Sequence, residues 1–389
     1  MFREKEEIFL PDPLFILDED DIPANWFGST LLTESTLHQI SPYIGKMKSS
    51  MSRTLIEKFS NPFDVIYDPF CGAGTVALEA WASGRNVLAT DLNPYAVLLT
   101  QAKLFPPSSP EEILRDIDNF STEVLSLLSD IKTETVPLWV KDFFNPLTLA
   151  EIIAWIQVLK KYKADFLLAC LLGILHHQRP GFLSYPSSHT VPYLRDKKFP
   201  KEMYPTLYEY REVAVRLKRK AERALKRLPV LNYELLRDCV IQDALNFEPK
   251  QKINAIITSP PYMRQLDYGR DNRLRLWFIG CEDWKSLNCK ISPPEMNFIG
   301  LMKKCLERWH DYLVPGGHCV LVLGDANCRS YKLPLPEVIT HIAIEEVKGY
   351  SLVWQCTEKI PNSRRVRRNC SGSTSETILA LKKMERPDK

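Results

Sequence analysis

The chain has 389 residues, 45% of them hydrophobic and 25% charged, the balance of a globular protein with a substantial core. Its formal net charge is only +3, which excludes polyanion binding through a global field and confines any nucleic-acid surface to a local patch. Ten cysteines without a Cys-x-x-Cys pair argue against a zinc site, and no apolar run approaches a bilayer span, so the expectation is a reduced, cytoplasmic, prokaryotic-type protein without bound metal or membrane contact.

The start, "MFREKEEIFLPDPLF", is acidic and lacks a signal-peptide core. Two apolar runs follow, "FDVIYDPFCGAGT" and "RNVLATDLNP", each ending in small or polar residues. That is the pattern of buried parallel strands. From about Leu104 to Leu236 the rhythm changes to helical periodicity, clearest in "LTLAEIIAWIQVLKKYKADFLLACLLGILHH" and "YEYREVAVRLKRKAERALKRL". Between these lies an irregular proline- and aromatic-rich stretch, too long for an ordinary crossover. Strand signals return in "RDCVIQDALNF", "INAIITSPPY", "LVPGGHCVLVLGDA", "GYSLVWQCTEKI" and "SETILALKK". The expectation is an α/β chain with a doubly wound, mostly parallel, seven-stranded Rossmann-like sheet. It divides into an amino-terminal segment and cofactor-binding part over 1–104, a mainly helical insertion over 105–236 that is the candidate DNA-recognition region, and a catalytic part over 237–389.

Two loops stand out. "DPFCGAGT", Asp68 to Thr75, joins a strand to the helix "VALEAWASG". Gly72 and Gly74 permit a tight turn and close approach of backbone to a ligand, with the helix N-terminus behind it. Asp91 closes the next strand, 19 positions after Gly72, the spacing at which an acid meets ribose hydroxyls in nucleotide-binding α/β folds. A generic glycine turn with Asp91 as a solvated strand cap is the plainer alternative. The second loop, "SPPY", ends the strand "INAIIT" in two residues that cannot donate to a sheet ladder. Alone, it reads equally as a Pro-Pro turn capping a buried strand.

Together, "DPFCGAGT" and "TSPPY" resemble the two signature motifs of S-adenosylmethionine-dependent methyltransferases that modify exocyclic amino groups of DNA bases. The resemblance implies that Asp68, Pro69, Phe70, Cys71, Gly72, Ala73, Gly74 and Thr75 hold S-adenosyl-L-methionine, with Phe70 near its methionine end. Asp91, Leu92 and Asn93 would take the ribose, and Asp243 and Ala244 the adenine. "SPYIGKMKSSMSRTLIEKF" (41–59), with Tyr43 and Gly45, resembles the segment that completes the methionine pocket.

The second motif then has a chemical reading. A base amino group is a poor nucleophile because its lone pair is delocalised into the ring. Two fixed acceptors that bind both amino hydrogens localise that pair. Ser259 offers a hydroxyl oxygen and Pro260 a carbonyl; Pro261 contributes no competing N–H, and Tyr262 offers a face for stacking. The target base is expected to be flipped out of double-stranded DNA. Serine in the first position, where adenine-modifying members mostly carry aspartate or asparagine, points to N4 of cytosine. N6 of adenine, an RNA base amino group and a silent DNA-binding protein are the rivals.

"LDYGRDNRLRLWFIG" continues the likeness, and Tyr268, Arg270 and Arg273 are expected along the target or phosphate path. The basic loop "NSRRVRRNCSGS", with Arg364 and Arg365, reads as a DNA contact. "RLKRKAERALKR" reads equally as a phosphate-binding or a solvated helix face. The cofactor motif precedes the catalytic one, the reverse of the order commoner among serine-type cytosine enzymes. That order leaves open where the DNA sequence is read, and whether a specificity partner or a cognate restriction endonuclease shares the site.

Overall fold

The computed structural model describes residues 34–189, 191–261, 263, 266–360 and 374–386. The seven strand-like runs of the sequence pair into one sheet: β1 (Val65–Asp68), β2 (Asn86–Asp91), β3 (Arg237–Ile241), β4 (Ile253–Thr258), β5 (Leu313–Gly324), β6 (Tyr350–Lys359) and β7 (Ser375–Lys383). Their spatial order is 3-2-1-4-5-7-6. The strands from β3 to β5 pair in parallel, whereas β7 runs antiparallel to both β5 and β6.

The central strands are short apolar runs because helices cover both of their faces. Alternate residues diverge accordingly. Ile66, Ala255 and Ile257 join one apolar cluster, and Tyr67 and Ile256 join the other. On the first face lie α1 (Ser49–Phe59), α2 (Thr75–Ala82) and α3 (Pro94–Leu104); the second is covered by α10 (Glu295–Tyr312), through Phe298, Met302 and Trp309.

Between β2 and β3 the chain contributes α4 (Pro110–Leu127), α5 (Pro146–Lys161), α6 (Asp165–Gly173) and α7 (Val213–Leu225). Ser109 and Asn145 cap α4 and α5, each with a proline in the first turn. The side chains buried by α5 and α6, Trp155, Leu159, Leu167 and Leu171 among them, form one continuous apolar cluster with the β1–β2 side of the sheet. Two helices follow β4, α8 (Tyr268–Ile279) and α9 (Trp284–Ile291). Among the described residues no helix is long and apolar enough to cross a membrane.

Register decides what meets at the carboxyl edge. Asp68 pairs with Ala89, Asp91 with Ile241, and Tyr67 with Ile256. The ends of β3, β2, β1 and β4 therefore lie side by side, and the chain reverses its winding direction between β1 and β4. Open α/β sheets bind ligands at such a switch point.

Candidate active site

A cavity of about 570 Å³ opens at this edge, within the roughly 300–1,000 Å³ usual for small-molecule sites. Its floor is the turn after β1. Gly72 and Gly74 both have positive φ, at 49° and 67°. A Cβ on Gly74 would sit 2.9 Å from Thr100 Cα, so the turn is pressed against α3. The Gly72 amide donates to Asp91 Oδ2 at 2.9 Å and the Asn93 amide to Oδ1 at 2.8 Å. The 19-residue spacing thus corresponds to direct contact between the glycine turn and the tip of β2.

Tyr43 closes the cavity from the amino-terminal side. Its ring lies over Gly72, stacks against Tyr268 at 6.3 Å, and its hydroxyl accepts from Asn93 Nδ2. The segment is anchored by the Ser41–Tyr95 hydroxyl contact. On the far side Phe70 meets Trp309 edge to face at 6.1 Å, and Asp243 Oδ1 accepts from the Leu245 amide.

Three carboxylates, Asp68, Asp91 and Asp243, line the cavity. Burial raises Asp68 to about 7, against the hydrogen bonds from Thr258 and the Phe70 amide that favour its charged form. Burial likewise raises Asp91 to about 6, against amide bonds from Asn93, Gly72 and Leu92. No cation is among the groups that act on either acid, although Lys46 and Lys290 line the same cavity, so both acids are ready to ionise when a positive ligand arrives.

Ser259 lines the same cavity. Its hydroxyl donates to the Val322 carbonyl on neighbouring β5 at 3.2 Å, which commits the proton and leaves the oxygen's lone pairs as acceptors. One residue earlier, Thr258 donates to Asp68 Oδ1 at 2.7 Å. A single hydrogen bond therefore links the tips of β1 and β4.

Of the residues singled out in the sequence, Tyr43, Gly45, Asp68 to Ala73, Thr75, Asp91, Leu92, Asp243, Ala244, Ser259, Pro261 and Tyr268 line this one cavity. Gly74 and Asn93 stand behind it, as the amino-terminal caps of α2 and α3. Pro260 borders a small apolar gap with Met263, Phe298 and Leu323. Arg270 pairs with Asp267 and Asp271. Arg273 donates to the Pro192 carbonyl and lies over Trp139, so neither arginine lines the cavity. Tyr262, Arg364 and Arg365 lie outside the described residues. Lys46, Met47, Val76, Gln242, Asn246, Lys290, Ile291 and Leu301 also line the cavity and escaped the sequence reading. Gln242 and Asn246 flank Asp243 and could have been inferred from it; Lys290, Ile291 and Leu301 lie in or next to helices without a motif.

A doubly wound sheet with a glycine turn after β1, an acid at the tip of β2 and a polar turn after β4 defines a Rossmann-like protein with a nucleoside-cofactor pocket. Residues 33–102 match the family model described as DNA methylase, of the N6/N4 type. The chain is 24% identical over 283 residues to the Type II methyltransferase M.MvaI of Kocuria varians, covering 62% of this chain and 57% of that protein. It is 30% identical over 96 residues to the Type II methyltransferase M.MjaII of Methanocaldococcus jannaschii, covering 24% and 18%. Among solved structures, TrmN from Thermus thermophilus aligns with a TM-score of 0.36 at 11% identity, covering 90% of this chain and 52% of that one. The chain is thus similar to DNA amino-methyltransferases around its glycine turn and over part of the length of these relatives, and it spans little more than half of M.MvaI.

S-adenosylmethionine is the methyl donor of this family, and the residues present suit it. The cavity combines three acids for a ligand with a sulfonium and an ammonium. It also contains the buried Thr75 hydroxyl, which has no hydrogen-bond partner among the described residues.

Proposed function

We propose that the chain transfers a methyl group from S-adenosylmethionine to N4 of cytosine in double-stranded DNA. The observation that carries this reading is the position of Ser259. Its hydroxyl lines the same cavity as the glycine turn and Asp91, with its proton already engaged by Val322.

In this reading Asp91 holds the ribose hydroxyls, Asp243 the adenine amino group, and Tyr43 with Phe70 the methionine end. The cofactor supplies a sulfonium methyl as the electrophile. Ser259 Oγ and the Pro260 carbonyl accept the two amino hydrogens of the flipped base and restore the nitrogen's lone pair. Pro260 and Pro261 stiffen the turn, and Tyr262 stacks on the base. Acceleration comes from orienting the nitrogen against the methyl, without a covalent enzyme intermediate. Serine at 259 favours cytosine over adenine. Similarity to Type II methyltransferases supports a short specific site, and a cognate restriction endonuclease and a specificity partner are the two candidates to share it.

Mass spectrometry of digested DNA from cells expressing the protein tests the product, and N4-methylcytosine is expected. Ser259→Ala should lower methyl transfer by about 100-fold, the scale of losing one oriented hydrogen-bonding group in a reaction centre. Cofactor affinity, read by calorimetry, should stay within about twofold because Ser259 stands at the target end of the cavity. Near-normal turnover in this variant would overturn the mechanism, and N6-methyladenine in the digest would overturn the choice of base.

A further inference from the structure

The insertion carries a second concavity, of about 450 Å³, between α7 and the Arg179–Phe182 turn. It follows from the amphipathic pattern of α7. Val213, Leu217, Ala221 and Ala224 are buried, while Arg216, Arg219, Lys220 and Arg223, at helical spacing, line the concavity together with Arg179.

These five cations have few partners. Arg216 donates to the carbonyls of Pro180 and Glu212, and Lys220 to that of Gln39 at 2.6 Å. Among the described residues none of the five forms an ion pair with a carboxylate. Lys218, on another face of α7, does pair with Asp118, whereas on this side Glu212 and Glu151 act on Arg216 only from beyond ion-pair distance. The cost is visible in the neighbours. Burial first, then Arg223 and Arg275, holds Lys220 at about 8, and burial followed by Arg219 lowers Arg216. Like charges gathered in a concavity repel unless an anion lies between them.

The surface is tied to the cofactor cavity through the loop between α6 and α7. Arg195 donates to Gln178 Oε1 at 2.8 Å, and Arg273 of α8 donates to the Pro192 carbonyl. The same α8 presents Tyr268 to the cofactor cavity. From Arg216 to Arg223 the helix advances about 10 Å at ~1.5 Å per residue. Each nucleotide of one strand rises ~3.4 Å along the duplex axis, so measured along that axis the length spans about three phosphates.

We propose that the α7 concavity grips the phosphodiester backbone of the duplex flanking the modified base; this rests on the DNA reading above. The test is the Arg219→Ala/Arg223→Ala double variant, in which both side chains are exposed. Binding to a labelled duplex is followed by anisotropy from about 50 to 200 mM salt. Each lost phosphate contact removes ~0.9 from the slope of log affinity against log salt, so the slope should fall by about 2. Affinity at about 100 mM salt should weaken by at least about tenfold, while kcat at saturating DNA and cofactor affinity hold. Lys303→Ala/Lys304→Ala, on α10 at the opposite face of the sheet, should leave the slope intact.

An unchanged slope in the Arg219/Arg223 variant that still methylates DNA overturns this proposal and leaves the proposed function standing. A wild-type protein that binds cofactor but neither binds nor methylates DNA overturns both. Titration with inorganic phosphate separates the sources. Phosphate binding lost in the variant, with the DNA slope unchanged, would assign the concavity to a free anion and overturn the backbone assignment.

Discussion

Asp68 should make cofactor binding sensitive to pH. Its carboxyl is raised to about 7 by burial, so at about pH 5.5 only ~3% is ionised, against ~75% at about pH 7.5. If a cationic ligand binds the ionised form, apparent affinity scales with that fraction, and the dissociation constant should fall by about 25-fold across this interval. Asp91, raised to about 6, adds about fourfold in the same direction. The cofactor's own α-amino group, with a pKa near 8, is still about 75% charged at about pH 7.5 and trims this gain by only about 1.3-fold. The sign for stability is opposite. A carboxyl raised in the folded state adds stability below its unfolded value, and that contribution is lost as pH rises through the folded one. The apoprotein should therefore weaken from about pH 4 to about pH 7, and bound cofactor should reverse the trend. Calorimetry in two buffers of different ionisation enthalpy reads both the affinity and the protons released. S-adenosylhomocysteine, which lacks the sulfonium charge, should show a shallower slope, and Asp68→Asn should show only the Asp91 part. A flat wild-type profile, or an undiminished slope in Asp68→Asn, would refute the electrostatic argument.

Two further substitutions probe the frame around the pocket. Thr258→Val removes the hydroxyl that donates to Asp68; it should move the midpoint of the pH profile upward by about half a unit to one unit, and an unmoved midpoint would show that this bond does not tune the acid. Gly74→Ala places a Cβ 2.9 Å from Thr100 Cα at a φ of 67°; it should cost about 2–4 kcal/mol, seen as a lower thermal midpoint, and a wild-type midpoint would mean that the turn and α3 separate freely.

The sheet was legible because its parallel strands are buried on both faces and read as short apolar runs, Val65–Asp68 and Ile253–Thr258 most clearly. The Gly72–Asp91 relation was legible because adjacent parallel strands joined by one short helix fix the spacing, and the structure resolves it into a 2.9 Å hydrogen bond. Other parts depend on packing that no local pattern encodes. Lys290 and Leu301 reach the cavity from the region after β4, at positions set by tertiary contacts. Arg270 and Arg273 have the composition of a phosphate path, yet their charges are directed to Asp267, Asp271 and the Pro192 carbonyl. The insertion was readable as helical, but the merging of its core with the β1–β2 side of the sheet was not, since periodicity shows which face is apolar and not what covers it.

A net charge of +3 conceals two local fields of opposite sign. At the carboxyl edge of the sheet, Asp68, Asp91 and Asp243 converge on one cavity, with Lys46 and Lys290 also on its wall; at the α7 concavity, five cations converge and no carboxylate is among the lining residues described. Each arrangement is costly by itself, through buried carboxyls in one and repulsion in the other, and each is relieved by a ligand of opposite charge. A cationic methyl donor and a polyanionic substrate are a pair that relieves both. Binding of the two should therefore respond to different variables, the cofactor to pH through Asp68 and the duplex to salt through α7. A variant that alters one response and spares the other would locate the two ligands independently.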